Sequence, residues 1–106
     1  SRPLLSWVLE NLIRNAVDAM DGEGVLTVRA HWKEATFSIE VEDNGKGMSK
    51  AVAKKVFAPG FTTKSRGWGL GLSLAKRSVE EVHGGHIHVA YTELNKGTCF
   101  RMVFQA

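Results

Sequence analysis

One cysteine, two prolines and one tyrosine are all that the 106 residues hold of those types. With Cys99 as the single thiol, no internal disulfide can form and a cysteine metal cage is excluded. Such usage fits a reducing compartment. No apolar run reaches the length of a membrane-spanning helix, and no charged-then-apolar leader opens the chain. Neither sign of charge dominates. The 14 lysines and arginines stand against 11 acids, for a net charge of +3, and the basic residues are scattered rather than blocked. That gives no electrostatic footprint for nucleic acid. Internal repeats, low-complexity tracts and linkers are missing as well. What remains is the composition of an ordinary soluble protein, long enough to bury a core without staples. Residues 1–106 therefore read as a single domain. The abrupt start without methionine reads as that of a domain excised from a longer chain.

Glycine is the residue in supply, and it is concentrated. In Arg66-Gly67-Trp68-Gly69-Leu70-Gly71-Leu72-Ser73-Leu74, three glycines alternate with other residues before an apolar helical pattern begins. Glycine lets a ligand approach the main chain closely. The free N–H groups of the helical turn that follows make a ready anion site. A tight loop before a helix would look the same, so this stretch gains meaning from the rest of the chain.

Pro3 to Met20 reads as a helix. Leu5, Val8, Leu9, Leu12, Ile13, Ala16, Val17 and Met20 recur at helical spacing as an inward stripe. Asn11, Asn15 and Asp18 share a second stripe beside it. Two mid-helix asparagines are costly to helix formation and want a reason. Asp21-Gly22-Glu23-Gly24 ends the helix. Two alternating runs follow as a hairpin: Leu26, Val28, Ala30 and Trp32 inward on the first strand, Ala35, Phe37, Ile39 and Val41 on the second. Asp43-Asn44-Gly45-Lys46-Gly47 makes a loop at the end of the second strand. Ser49 caps a short helix to about Phe57. Residues 58–66 form a loop. Leu70 to His83 forms the next helix, with Leu74, Ala75, Ser78, Val79 and Val82 inward, stopped by Gly84-Gly85. Ile87, Val89 and Tyr91 alternate in a third strand, and Thr98, Phe100, Met102 and Phe104 in a fourth, joined through Asn95-Lys96-Gly97. The expected architecture is a two-layer α/β sandwich, its mixed, largely antiparallel sheet covered on one face by helices.

Five of these stretches, in this order, carry a resemblance. Glu10 to Ala16 resembles the N box of the GHKL ATP-binding superfamily, and Asp43 to Met48 its first glycine box. Phe57 to Lys64 is similar to the F box of sensor histidine kinases. Gly67 to Leu72 resembles the second glycine box, and Gly97-Thr98-Cys99-Phe100 the late Gly-Thr-x-Phe strand. Together they span nearly the whole chain. It is identified as resembling the catalytic, ATP-binding domain of a bacterial two-component sensor histidine kinase, of Bergerat fold without the usual opening strand.

The resemblance implies roles that chemistry supports. Asp43 is the adenine-reading acid: a carboxylate accepts a hydrogen bond from the 6-amino group, which guanine lacks. Gly45 and Gly47 let the loop lie beside the base, and Thr98 is a secondary adenine contact through water. Asn15 is the Mg²⁺ ligand, one amide oxygen alongside phosphate oxygens and waters. Asn11, one turn earlier, supports the same region. Gly67, Gly69, Leu70, Gly71 and Leu72 cradle the phosphates at a helix start. Lys64 and Arg66 are either contacts to the outer phosphates or solvated loop cations. With Asn11 they form the candidate catalytic set. Asp18 stands where many kinases carry lysine, so it is either a water-mediated contact or a polar edge. Trp68 is either a cover for the nucleotide or an anchor for a short lid.

Asn11 also discriminates between reactions. Relatives in the gyrase, mismatch-repair and heat-shock chaperone branches carry a water-activating glutamate there, and an amide cannot act as that base. The expected function is to hold Mg-ATP for transfer of its γ-phosphate to a histidine on a separate dimerisation domain. None of the four histidines sits in a phosphoacceptor context, and His83, His86 and His88 lack a carboxylate or cysteine to complete a zinc set. The chain should therefore bind ATP without phosphorylating itself. Implied partners are ATP, the phosphoacceptor helices of a homodimeric parent protein and a response regulator, with no nucleic acid. The implied location is cytoplasmic, in a parent that can be anchored in the inner membrane. Two alternatives stay open: a hydrolysing or ATP-gated clamp module, and a regulatory nucleotide-binding module without transfer activity.

Overall fold

A computed structural model of the chain describes residues 2–58, 69–82 and 84–105. Eight elements follow one another: α1 (Arg2–Ala19), β1 (Leu26–Lys33), β2 (Thr36–Asp43), α2 (Lys50–Lys55), α3 (Gly69–Arg77), a π-helical segment (Ser78–Val82), β3 (His86–Glu93) and β4 (Gly97–Gln105). The strands form one sheet in the order β1-β2-β4-β3, antiparallel at every pairing. The helices pack on one face of it.

Side-chain alternation turns this register into rows that cross the sheet. On the helix-covered face, Val28, Val41, Phe100 and Val89 form one row, and Ala30, Ile39, Met102 and Ile87 the next. From α1, Val8, Leu12 and Ala16 settle on these rows, one turn apart and almost completely buried. Ala75 and Val79 of the second helical unit complete the core. The last row before the strands end is Leu26, Asp43, Thr98 and Thr92. Apolar rows thus give way to a polar one where β2 runs out, and α1 ends beside it.

Several expected inward residues lie elsewhere. Val28 and Trp32 are 50% and 69% exposed, because β1 is an edge strand and α1 sits chiefly over β2. Trp32 instead packs on Phe37, with ring centroids 5.1 Å apart. Ala35 falls in the exposed hairpin turn rather than at the head of β2. Val17 is 41% exposed at the far edge of the α1 stripe. Leu74 is 42% exposed, about 100° round the helix from the fully buried Ala75. The last helix also differs from a regular one to His83. It widens after Arg77 into the π-helical segment, which closes with the Gly85 N–H on the Val79 carbonyl at 2.9 Å and Gly84 at φ +63°.

The most consequential difference is in β3. Its pairing with β4 shifts between Val89 and Tyr91, leaving Ala90 as an extra residue. Such a bulge reverses the alternation beyond it. Tyr91 therefore does not continue the inward row of Ile87 and Val89. It stands opposite Cys99 on the helix-free face, 51% exposed, and Thr92 takes the inward place opposite Thr98.

Candidate nucleotide site

The loop from Asp43 to Met48 is stitched to three elements. The Gly45 N–H donates to Asp43 Oδ1 at 2.8 Å. Lys46 N–H donates to the Ala19 carbonyl at the end of α1 at 3.0 Å. Asn44 Oδ1 receives the Val25 N–H, 2.9 Å away, and the Lys46 carbonyl receives Asn95 N–H at 2.7 Å. A Cβ on Gly45 would collide with the Ala19 carbonyl oxygen, and one on Gly47, at φ +67°, with that of Glu93. The glycines therefore let three backbones meet, a stronger requirement than room for a flat base.

Asp43 closes β2 with 5% of its surface exposed. Burial pushes its carboxyl above the ordinary aspartate range, only partly offset by the backbone N–H groups of Gly45 and Thr98. Among the described residues no cation pairs with it. Thr98, 4% exposed, stands opposite it on β4. Thr98 and Thr92 hydroxyls lie 2.8 Å apart, and Thr92 Oγ1 also receives the Met48 N–H at 2.9 Å. Thr92 was not among the expected site residues, because the bulge that turns it inward has no signature in the alternation. Counting outward from the β3–β4 turn, where Glu93 pairs with Gly97, is the signal that would have found it.

The α1 residues grade outward along their stripe. Asn11 is buried and its Nδ2 donates to the Trp7 carbonyl one turn back at 3.0 Å. Asn15 is half-buried and Asp18 exposed. Ser49 caps α2 as expected, accepting from Val52 N–H at 3.2 Å. Phe57 then packs edge-on to Phe100, centroids 5.9 Å apart, fixing the start of the following loop to the sheet. Leu72 is half-buried against the core. Lys64, Arg66 and Gly67 lie outside the described residues, as does Trp68. For Gly69, Leu70 and Gly71 the backbone alone is described, in the first turn of α3.

At the end of β2 the structure thus sets a nearly buried carboxylate, which no cation among the described residues pairs, beside two hydroxyls 2.8 Å apart. The whole chain, residues 1–106, matches the family model described as histidine kinase-, DNA gyrase B- and HSP90-like ATPase, and the chain belongs to that family. It is 43% identical over 98 residues to the sensor histidine kinase ZraS of Escherichia coli K12, covering 92% of this chain and 21% of that protein. A nucleotide-free catalytic domain of the histidine kinase ThkA superposes with a TM-score of 0.87 at 31% identity, over 99% of this chain and 68% of that one. Full-length ShkA in complex with AMPPNP gives 0.81 at 25% identity, over 97% of this chain and 22% of that one. The chain thus spans about a fifth of the length of ZraS. No helix among the described residues is long and apolar enough to cross a membrane.

Proposed function

We propose that this domain binds ATP and presents its γ-phosphate to a histidine on a separate helical domain of the parent protein. The observation that carries the adenine assignment is Asp43: nearly buried, without a cation among the described residues, and at the open end of the sheet. Its carboxylate accepts from the backbone N–H groups of Gly45 and Thr98 and keeps lone pairs for a further donor, which the adenine amino group would supply. The relation to ShkA, whose structure contains AMPPNP, supports the same reading.

Asn15 would offer its amide oxygen to magnesium, which supplies charge neutralisation on the phosphates when bound. Asn11, anchored to its own helix, helps hold that region and leaves no base to activate water. Asp18, exposed on the same stripe, would serve either as a water-mediated contact to the nucleotide or as a polar edge. The backbone N–H groups at the start of α3 would cradle phosphate, with Gly67, Gly69, Leu70, Gly71 and Leu72 forming the turn and Lys64 and Arg66 reaching the outer phosphates. The parent would be a homodimer that passes the phosphoryl group to a response regulator.

Transfer then depends on holding acceptor and γ-phosphate in line, so effective concentration supplies much of the rate. With radiolabelled ATP, the chain alone should bind nucleotide yet acquire no acid-labile label and release little phosphate. Dimerisation helices of the same parent should be labelled slowly when added in trans, and much faster when fused. Rapid phosphate release without an acceptor would instead assign the domain to the hydrolysing class.

A further inference from the structure

Thr92 Oγ1 makes three polar contacts: the Met48 N–H at 2.9 Å, the Gly97 carbonyl oxygen at 3.1 Å and Thr98 Oγ1 at 2.8 Å. A hydroxyl has one proton and two lone pairs. The Met48 N–H can only donate, so it occupies one lone pair. The Gly97 carbonyl can only accept, so it takes the proton. A single lone pair is left for the remaining contact, and the Thr98 hydroxyl must donate into it. The Thr98 proton is thereby committed to Thr92, and what Thr98 has left to offer is acceptor capacity.

We propose that Thr92 is a specificity-determining residue for the nucleotide base: by fixing the direction of the Thr98 hydroxyl, it makes the wall of the site an acceptor surface. This rests on the reading of Asp43 and Thr98 as the adenine end. A 6-amino group, or a water donating on its behalf, meets acceptors from both Asp43 and Thr98. A 6-oxo group offers lone pairs where the amino group donated, so the acceptor facing it is left unpaired and the N1–H of such a base is the one compensating donor on that edge. Discrimination built from a missing partner is stronger than a lost contact, because a buried polar atom is left unsatisfied. Thr92 is a positioning residue in this arrangement, acting through Thr98. The Ala90 bulge brings it to the site, since without the shift Thr92 would point to the helix-free face.

Calorimetry with ATP and inosine triphosphate, which differ only in the exchange of the 6-amino group for an oxo group and its N1 proton, tests the idea. The wild-type chain should favour ATP by about 100-fold or more. Thr92→Val keeps the shape but removes the acceptor, so Thr98 is free to turn its proton toward the base. The preference should then fall about tenfold, and Thr92→Ser should restore it. A purely structural role would weaken both nucleotides together and leave their ratio unchanged. If Thr92→Val does not fold, Thr98→Val, which keeps the bonds of Thr92 to Met48 and Gly97, must show the fall instead. A wild-type ratio in either folded variant overturns the proposal. Failure of the wild-type chain to bind ATP at all would instead overturn the adenine reading beneath it.

Discussion

Glu40 and Asp43 lie three residues apart on β2, on opposite faces of the sheet, 8% and 5% exposed, and their carboxyls are driven in opposite directions. Glu40 belongs to the helix-free face, in the row Arg29, Glu40, Arg101 and His88. Arg29 Nε donates to its Oε1 at 2.9 Å and Arg101 Nε to its Oε2 at 2.7 Å, which holds the carboxyl below the ordinary range. Glu42, one row nearer the sheet end, is lowered by hydrogen bonds from Tyr91 and Arg29, and the Tyr91 phenol is pushed up to about 12. Asp43 receives backbone N–H groups alone, and burial wins. The face that builds structure is satisfied within itself. The face proposed to receive the nucleotide holds an acid that no cation among the described residues pairs, and such perturbed groups gather where binding occurs.

The largest test of this contrast is Asp43→Asn. Hydrogen bonds to a charged group are worth about 1.5–3 kcal/mol, so ATP affinity should fall about 10- to 100-fold by calorimetry. The same change relieves a buried charge, so the melting temperature without nucleotide should hold or rise. Loss of stability together with affinity would show that Asp43 is a structural acid like Glu40. Glu40→Gln should do the reverse. It leaves two arginines short of charge, should lower the melting temperature by about 5 °C, and should leave ATP affinity within about twofold. A thermal melt beside the same titration measures both.

The smallest effect lies in pH. A lowered carboxyl such as Glu40 contributes stability that is present above its ordinary titration range and lost as pH falls through the lowered value. A raised carboxyl such as Asp43 works oppositely: its stabilising influence is full below the ordinary range and is lost as pH rises through the raised value. At neutral pH, Glu40→Gln should therefore be less stable than wild type and Asp43→Asn at least as stable. Both differences should shrink as pH falls through the carboxylate range and the acids protonate. Urea denaturation at several pH values between about 7 and 3 would show the two variants converging on wild type from opposite sides. Differences that stay parallel across that range would mean the two acids do not differ in linkage.

Legibility in the sequence varied with whether the signal was local. The helical stripe of Val8, Leu12 and Ala16 and the pairing of Ile39 and Val41 with Met102 and Phe100 follow from period alone, since each residue needs only its own neighbours to declare a face. The Ser49 cap was equally readable. The inward face of β1 was correctly paired but mostly uncovered, because alternation says which side a residue takes and not whether a helix lies over it. The Arg29, Glu40, Glu42 and Arg101 network has no local signature, since its members come from three strands.

The family, the order of its motifs and the position of Asp43 at a strand end were determined by the sequence itself, because fixed residue types at fixed spacing carry them. Tertiary structure alone decided which acid is paired with arginine, which is not paired among the described residues, and which hydroxyl stands opposite Thr98. The arginines that satisfy Glu40 arrive from β1 and β4, 11 and 61 residues away, and none is brought to Asp43 among the described residues. One extra residue in β3 reverses two side chains and sets Thr92, rather than Tyr91, on the helix-covered face opposite Thr98. Burial, charge pairing and register are sums over strands distant in sequence, so they exist only once the sheet has formed.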